Sequence, residues 1–271
     1  LLEWRIRAVA NEVVELRHAN ACRTSTPMHL SDLSELGVPA AGTRAARHLN
    51  TRHTAGDAIV EFEGEFETHV TVRAAGPDDV DALRAFTERH RLKFHHIVLD
   101  RGRTPSQPMV SLRGRGNLSG ELAAAADLSR RLTAAGLIVT RVKIEVAPDN
   151  RDVPDSDAEA AARHPDRYFE HHVKLALDAG TDVRPLAGLA CGHAAHLSRN
   201  ARRVREDGMK ERFVTQRCHA VGRPAARGRL DALLAALAAG GYMILSVEEE
   251  FVVYDSNPAV DAGWLDTGGG A

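Results

Sequence analysis

The sequence predicts an α+β protein made by internal duplication, two copies of a β-α-β-β-α-β unit of about eighty residues. Three matches carry this. Phe66-Glu67-Thr68-His69-Val70-Thr71-Val72 lies over Phe169-Glu170-His171-His172-Val173-Lys174-Leu175, both strand-like and both carrying Phe-Glu-x-His. Farther on, His96-Ile97-Val98-Leu99 falls over His196-Leu197-Ser198-Arg199, then Met109-Val110-Ser111-Leu112-Arg113 over Phe213-Val214-Thr215-Gln216-Arg217. Both halves also close alike. An Ala/Leu-rich helix (Leu128 to Gly136, Leu230 to Gly241) stops at glycine and leads into a strand ending Arg141-Val142-Lys143-Ile144-Glu145 or Ser246-Val247-Glu248-Glu249-Glu250. This order is that of tandem ferredoxin-like repeats, expected over 59–148 and 168–255.

In chain order, residues 1–20 carry Leu2, Ile6, Val9, Val13 and Leu16 on one helical face, and 21–58 show little periodicity. Residues 1–58 therefore read as an N-terminal arm, helical then irregular. Pro77 to Arg91 opens with proline and two aspartates and sets Val80, Leu83 and Phe86 at helical spacing, the first helix of its repeat. Asp182 to Ala190 is its shorter counterpart. The segment 149–167, with Asn150, Pro154, Asp155 and Asp157, reads as a linker, and 256–271, ending in three glycines, as a tail mobile at its end.

Charge excludes one broad class of partner. With 35 basic and 37 acidic residues the net charge is −2, so no global field draws the chain to nucleic acid or an anionic membrane. Three widely spaced cysteines, Cys22, Cys191 and Cys218, form no C-x-x-C pair and suggest reduced thiols. Neither a membrane-length apolar run nor a secretory leader is evident, so a cytoplasmic protein is expected, with no membrane partner.

Alternation sends Val60, Phe62, Phe66, Val70 and Val72 to one face of the first strand and Glu61, Glu63, Glu65, Glu67, His69, Thr71 and Arg73 to the other. The second copy repeats this with Phe169 and Val173 against Glu170, His172 and Lys174. First and third strands are neighbours in such a unit. His69 and Thr71 are thus expected beside Ser111 and Arg113, and His172 and Lys174 beside Thr215 and Arg217. An open sheet with a solvated face explains the glutamates equally well. The imidazole, hydroxyl and guanidinium grouping points instead to a cleft that handles an anion.

His69-Val70-Thr71-Val72 resembles the H-x-T-hydrophobic motif of the two-histidine (2H) phosphoesterases, whose two lobes each present such a motif on a strand. That resemblance implies His69 and His172 as a general acid/base pair acting on a phosphodiester or 2′,3′-cyclic phosphate, with Thr71 as a phosphate anchor. The second motif has Lys174 where the family has its hydroxyl. Ser111, Arg113, Thr215 and Arg217 complete the expected substrate-binding set; no metal or other cofactor is expected. Imidazole has the unperturbed pKa for such proton transfer.

Other readings stand beside this one. Glu63-Gly64-Glu65-Phe66-Glu67 partly resembles the first strand of the triphosphate-tunnel (CYTH) proteins, which implies Glu61, Glu63 and Glu65 around a divalent metal and Arg141, Lys143 and Arg217 on a polyphosphate. Cys191-x-His193-x-x-His196 with Cys218-His219 has zinc-type ligands without a familiar spacing. The Asp100–Pro108 loop can close over an anion or be a solvated hairpin. Arg199, Arg202, Arg203, Arg205, Lys210 and Arg212 make a local basic excess that suits phosphate or an RNA end. A noncatalytic module binding an anionic metabolite or an RNA end is the alternative from another class.

Overall fold

The computed structural model describes residues 61–163, 165–201 and 206–265; the arm of 1–58 lies outside them. The first repeat is β1 (Glu63–Val72), α1 (Pro77–Arg89), β2 (Lys93–Leu99), β3 (Ser106–Asn117), α2 (Leu118–Ala134) and β4 (Val139–Val146). A short helix α3 (Asp157–Ala161) lies in the linker. The second repeat is β5 (Tyr168–Leu177), α4 (Arg184–Gly192), β6 (Ala195–Asn200), β7 (Lys210–His219), α5 (Arg223–Ala239) and β8 (Met243–Asp255). The duplicated α+β reading holds element for element.

The two sheets do not stand open as a cleft. They join along both edges, β2 to β6 and β4 to β8, into one closed antiparallel barrel in the order β1-β3-β2-β6-β7-β5-β8-β4. Each seam pairs equivalent strands of the two repeats, as a pseudo-twofold axis requires. Closure gives each strand a neighbour on both sides, although the β2–β6 seam is short, pairing Ile97–Leu99 with Ser198–Asn200.

Helices cover the outside of the barrel. Phe66, Val70 and Val72 on β1 pack against Leu83 and Phe86 of α1 and Leu128 and Leu132 of α2, all buried. Val173 and Leu175 on β5 meet Leu186 and Ala190 of α4 and Leu230, Leu233 and Leu237 of α5. Because the more apolar face of the strands packs on the helices, alternation leaves the more polar face to the barrel interior, where Ile97, Leu99, Met109 and Phe213 stand among the charged groups. That inversion creates the site.

The helix starts follow ordinary chemistry. Asn117 caps α2 by accepting from the Gly120 N–H at 2.9 Å, and prolines sit in the first turns of α1, α4 and α5. The linker is anchored rather than loose. The Asp157 carboxylate accepts from the Gly222 N–H at 2.7 Å, and a Cβ on Gly222 would lie 2.6 Å from the Ser156 backbone, so only glycine admits this approach.

Glu121, in the first turn of α2, is buried with Oε2 lacking a hydrogen-bond partner. Burial pushes its carboxyl from 4.5 up to about 7. The unfolded chain ionises first as pH rises, so stability falls between those two values and the full penalty stands above the upper one. Urea unfolding is expected to show Glu121→Gln gaining about 2 kcal/mol over the parent near pH 8 and almost nothing near pH 4.

Candidate active site in the barrel interior

The duplicated strands set two equivalent groups of side chains facing one shared space. β1 pairs Glu67 with Arg113 and His69 with Ser111 on β3, and Glu67 with Glu145 and His69 with Lys143 on β4. β5 pairs Glu170 with Arg217 and His172 with Thr215 on β7, and Glu170 with Glu250 and His172 with Glu248 on β8. Each half therefore contributes a Glu-x-His strand, an arginine beside the glutamate, a hydroxyl beside the histidine and a second glutamate across. Among these paired positions one breaks the symmetry, with Lys143 in the first half and Glu248 in the second.

Both imidazoles are held in the same way. His69 Nδ1 lies 2.7 Å from Ser111 Oγ and Nε2 lies 2.9 Å from Glu145 Oε2. A carboxylate only accepts, so Nε2 carries the proton, and in the neutral ring Nδ1 accepts from the Ser111 hydroxyl. His172 Nδ1 lies 2.9 Å from Thr215 Oγ1, with Nε2 facing Glu170 at 3.4 Å and Glu250 at 3.6 Å. A hydroxyl on one nitrogen and a carboxylate facing the other fix the orientation of each ring.

A chain of ions joins the two rings. Lys143 Nζ forms an ion pair with Glu145 Oε1 at 2.7 Å and also bonds Glu170. Burial alone would lower the Lys143 ammonium; Glu145 and Glu170 outweigh it and hold it above its ordinary value. Arg217 Nε donates to Glu170 Oε1 at 2.5 Å and its Nη2 to Asp261 Oδ2 at 2.8 Å. Burial would raise Glu170, but Arg217 and Lys143 hold it well below the usual carboxylate range. The path His69–Glu145–Lys143–Glu170–His172 is continuous across the barrel.

The interior holds a cavity of about 330 Å³, partly open to solvent, within the range of small-molecule sites. Its end near the β2–β3 loop is closed by the segment after β8. A 3-10 turn at Pro258–Asp261 carries Asp261 inward, where its carboxylate accepts from Arg141, Arg217 and Gln107, each at 2.8 Å. Arg141 is also bound by Asp255. Trp264 lines the cavity, and its indole N–H donates to the Leu197 carbonyl at 2.9 Å. The tail read from sequence is thus a built part of the barrel as far as Leu265; its closing glycines lie outside the described residues. The Asp100–Pro108 loop is taken up by the same segment, Arg103 N–H donating to the Ala262 carbonyl at 3.0 Å. Replacing Asp261 by Asn leaves Arg141 its Asp255 and Arg217 its Glu170, so thermal unfolding is expected to report a loss of about 1–3 kcal/mol.

The expected site residues are gathered with some changes of part. His69, Thr71, Arg113, His172, Lys174, Thr215 and Arg217 line the cavity; Ser111 stands behind His69. Thr71 pairs with Met109, and Arg113 with Glu67, where the sequence reading set Thr71 and Arg113 near one another. Ser111 and Thr215 are engaged by the histidines rather than held ready for a ligand. Arg217 donates to Glu170 from Nε and to Asp261 from Nη2 and lies 5.0 Å from the centre of the Tyr168 ring, so its first part is to hold the carboxylates of the site. Arg113 is half exposed and reaches Glu67 at 3.4 Å.

Other expectations do not survive the geometry. Glu61 accepts from Ser119 at the start of α2, and Glu63 pairs with Arg151, so neither enters the cavity, and the exposed Glu65 does not line it. The zinc set does not assemble. Cys218 is buried in the core, and Cys191 and His196 both meet Arg101. Among the described residues, the group able to hold a metal is Glu145, Glu170, His172 and Glu250, with one ligand atom of each within 4.8 Å of the others. That group already contains the Lys143 ammonium as its counter-ion. Of the basic run, Arg202, Arg203 and Arg205 lie outside the described residues.

Sequence reasoning also missed Lys93 and His95. The alignment of His96 over His196 is three residues out of register: Lys93 is the equivalent of His196, since they pair with Ser111 and Thr215, and His95 is the equivalent of Ser198. In this register His95 faces the cavity, while His96 Nε2 meets Ser106 Oγ at 2.9 Å. His95 Nε2 is buried without a hydrogen-bond partner, and burial, with Lys93 and His69 nearby, pushes the ring down to about 3.

The sequence matches no protein-family model and no curated protein. Among solved structures it is similar to the ligand-free regulatory subunit of aspartate kinase from Thermus thermophilus, at 10% identity and TM-score 0.28 over 65% of this chain and 94% of that one. The small subunit of acetolactate synthase from Thermotoga maritima follows at 10% identity and TM-score 0.27, over 70% and 95%. A mutant chlorite dismutase from Candidatus Nitrospira defluvii stands at 12% identity and TM-score 0.24, over 73% and 94%. Likeness at this level says nothing of ligand or reaction. No helix among the described residues is long and apolar enough to cross a membrane.

Proposed function

We propose that the barrel interior is the active site of a phosphoesterase that opens a phosphodiester or cyclic phosphate by acid–base catalysis, with His69 and His172 as the proton-transfer pair. One observation carries this reading: two hydroxyl–imidazole–carboxylate sets, one from each repeat, face a single cavity and are joined by a chain of ions. Buried charge on this scale costs stability unless every group is paired, and a barrel filled with aliphatic side chains would be cheaper to fold. Its retention suits chemistry in the interior.

In the proposed step one imidazole takes a proton from water, directly or through the hydroxyl on its Nδ1. The water oxygen forms a bond to phosphorus as the bond to the leaving oxygen breaks. The other imidazole, protonated, gives its proton to that oxygen. Imidazole contacts with Glu145 on one side and Glu170 and Glu250 on the other fix the rings for this exchange. Of the substrate-binding residues expected from sequence, Thr71, Arg113 and Lys174 are those that still line the cavity without being held by a histidine or committed to two carboxylates.

The rival reading is a noncatalytic module for an anionic metabolite or an RNA end. Assays of the wild type and of His69→Ala and His172→Ala on 2′,3′-cyclic nucleotides and on linear phosphodiesters separate the two. An enzyme loses turnover with little change in ligand affinity. A wild type that binds such ligands and never turns them over belongs to the rival.

A further inference from the structure

The phosphoesterase reading leaves open where the charged group of a ligand docks, since most interior cations are already matched. Arg141, Lys143, Arg217 and Arg113 all face carboxylates. Lys93 and Lys174 differ: both line the cavity, and among the described residues no carboxylate pairs with either. Lys174 Nζ instead lies 5.4 Å from the centre of the Phe213 ring.

His95 also lines this part of the cavity, and its buried Nε2 has no hydrogen-bond partner. Folding normally avoids an unmet buried nitrogen, and a small turn of the ring would bring this one to the cavity that His95 lines, where a ligand atom could meet it. The groups whose charges act on His95 are Lys93 on its own strand, His69 and Glu67 on β1 and Lys174 on β5.

We infer that Lys93, His95 and Lys174 form a subsite for a phosphoryl group of the ligand. Two unmatched ammonium groups call for a dianion rather than a carboxylate, and the imidazole nitrogen supplies the directed hydrogen bond that the lysines, as point charges, do not. The subsite rests on the proposed function only in sharing its cavity. It makes the substrate class one in which a phosphoryl group reaches the β2 and β5 walls while the imidazole pair lies alongside.

Calorimetric titration of the full chain with inorganic phosphate tests this, with acetate as a second arm and the His95 ring resonances followed by NMR. Phosphate is expected to bind, to shift the His95 resonances on saturation, and to bind roughly tenfold weaker or worse to Lys93→Met/Lys174→Met. Methionine keeps the aliphatic stems, and thermal melts check the fold. Lys93→Met alone, at an exposed position, with a smaller loss of the same sign, serves if the pair does not fold. Undiminished phosphate binding in the lysine variants, unmoved His95 resonances, tighter binding of acetate, or no binding of either anion across the millimolar range each overturns the subsite. No turnover is involved, so phosphate bound at His95 by a protein that cleaves no ester sinks the catalytic reading and leaves this one standing.

Discussion

Glu170→Ala is expected to destabilise the fold by about 3–5 kcal/mol, more than any other single interior substitution. Glu170 is fully buried and binds three groups at once: Lys143, Arg217 and the Nε2 side of His172. Removing it leaves Lys143 with Glu145 and Arg217 with Asp261, while the space vacated holds uncompensated positive charge away from water. Glu170→Gln keeps the shape and loses the charge, so it is expected to fall between alanine and wild type. The sign with pH follows from the depressed carboxyl. Its contribution is fully present above the unfolded carboxylate value, about 4.3, and drains away as pH falls toward the lower folded value. Denaturant unfolding near pH 7 and near pH 3 is therefore expected to show the variant and parent converging in acid. Equal stability at pH 7 would mean that the interior ion chain is not formed.

The second large effect is on turnover. His69→Ala and His172→Ala are each expected to lower kcat by about 10²–10⁴-fold, the span ordinarily supplied by a positioned acid or base, while changing ligand affinity less than tenfold. The double variant is expected to lose little more than the worse single one, because groups acting as a unit are not additive. Ser111→Ala and Thr215→Ala act one step removed, freeing the rings to turn, and are expected to cost less than the histidines they orient.

How much of this was legible beforehand varies with the kind of interaction. Glu67-x-His69 and Glu170-x-His172 fixed the register of the repeats, and the partners Ser111 and Thr215 followed from strand adjacency alone. Local periodicity carried that information. Alternation cannot tell a solvated face from a barrel lumen, since both set polar groups on one side, so the glutamates read equally well as surface. Only the seams β2–β6 and β4–β8 decide it, and those are long-range pairings with no local mark. His95 was hidden for a related reason: β2 and β6 share no Glu-x-His to pin them, and the paired His96 and His196 drew the alignment three residues away. Asp261 sits alone in a segment without periodicity, and its part emerges only once Arg141 and Arg217 converge on it.

The central claim is that one ligand meets both repeats in one lumen. The most direct measurement is the NMR of the His69 and His172 rings during titration with a slowly hydrolysed cyclic phosphorothioate. Both sets of resonances are expected to shift with a single shared midpoint, and His172→Ala to alter the response of His69. Movement of only one ring, or two rings saturating at different ligand concentrations, would contradict the account.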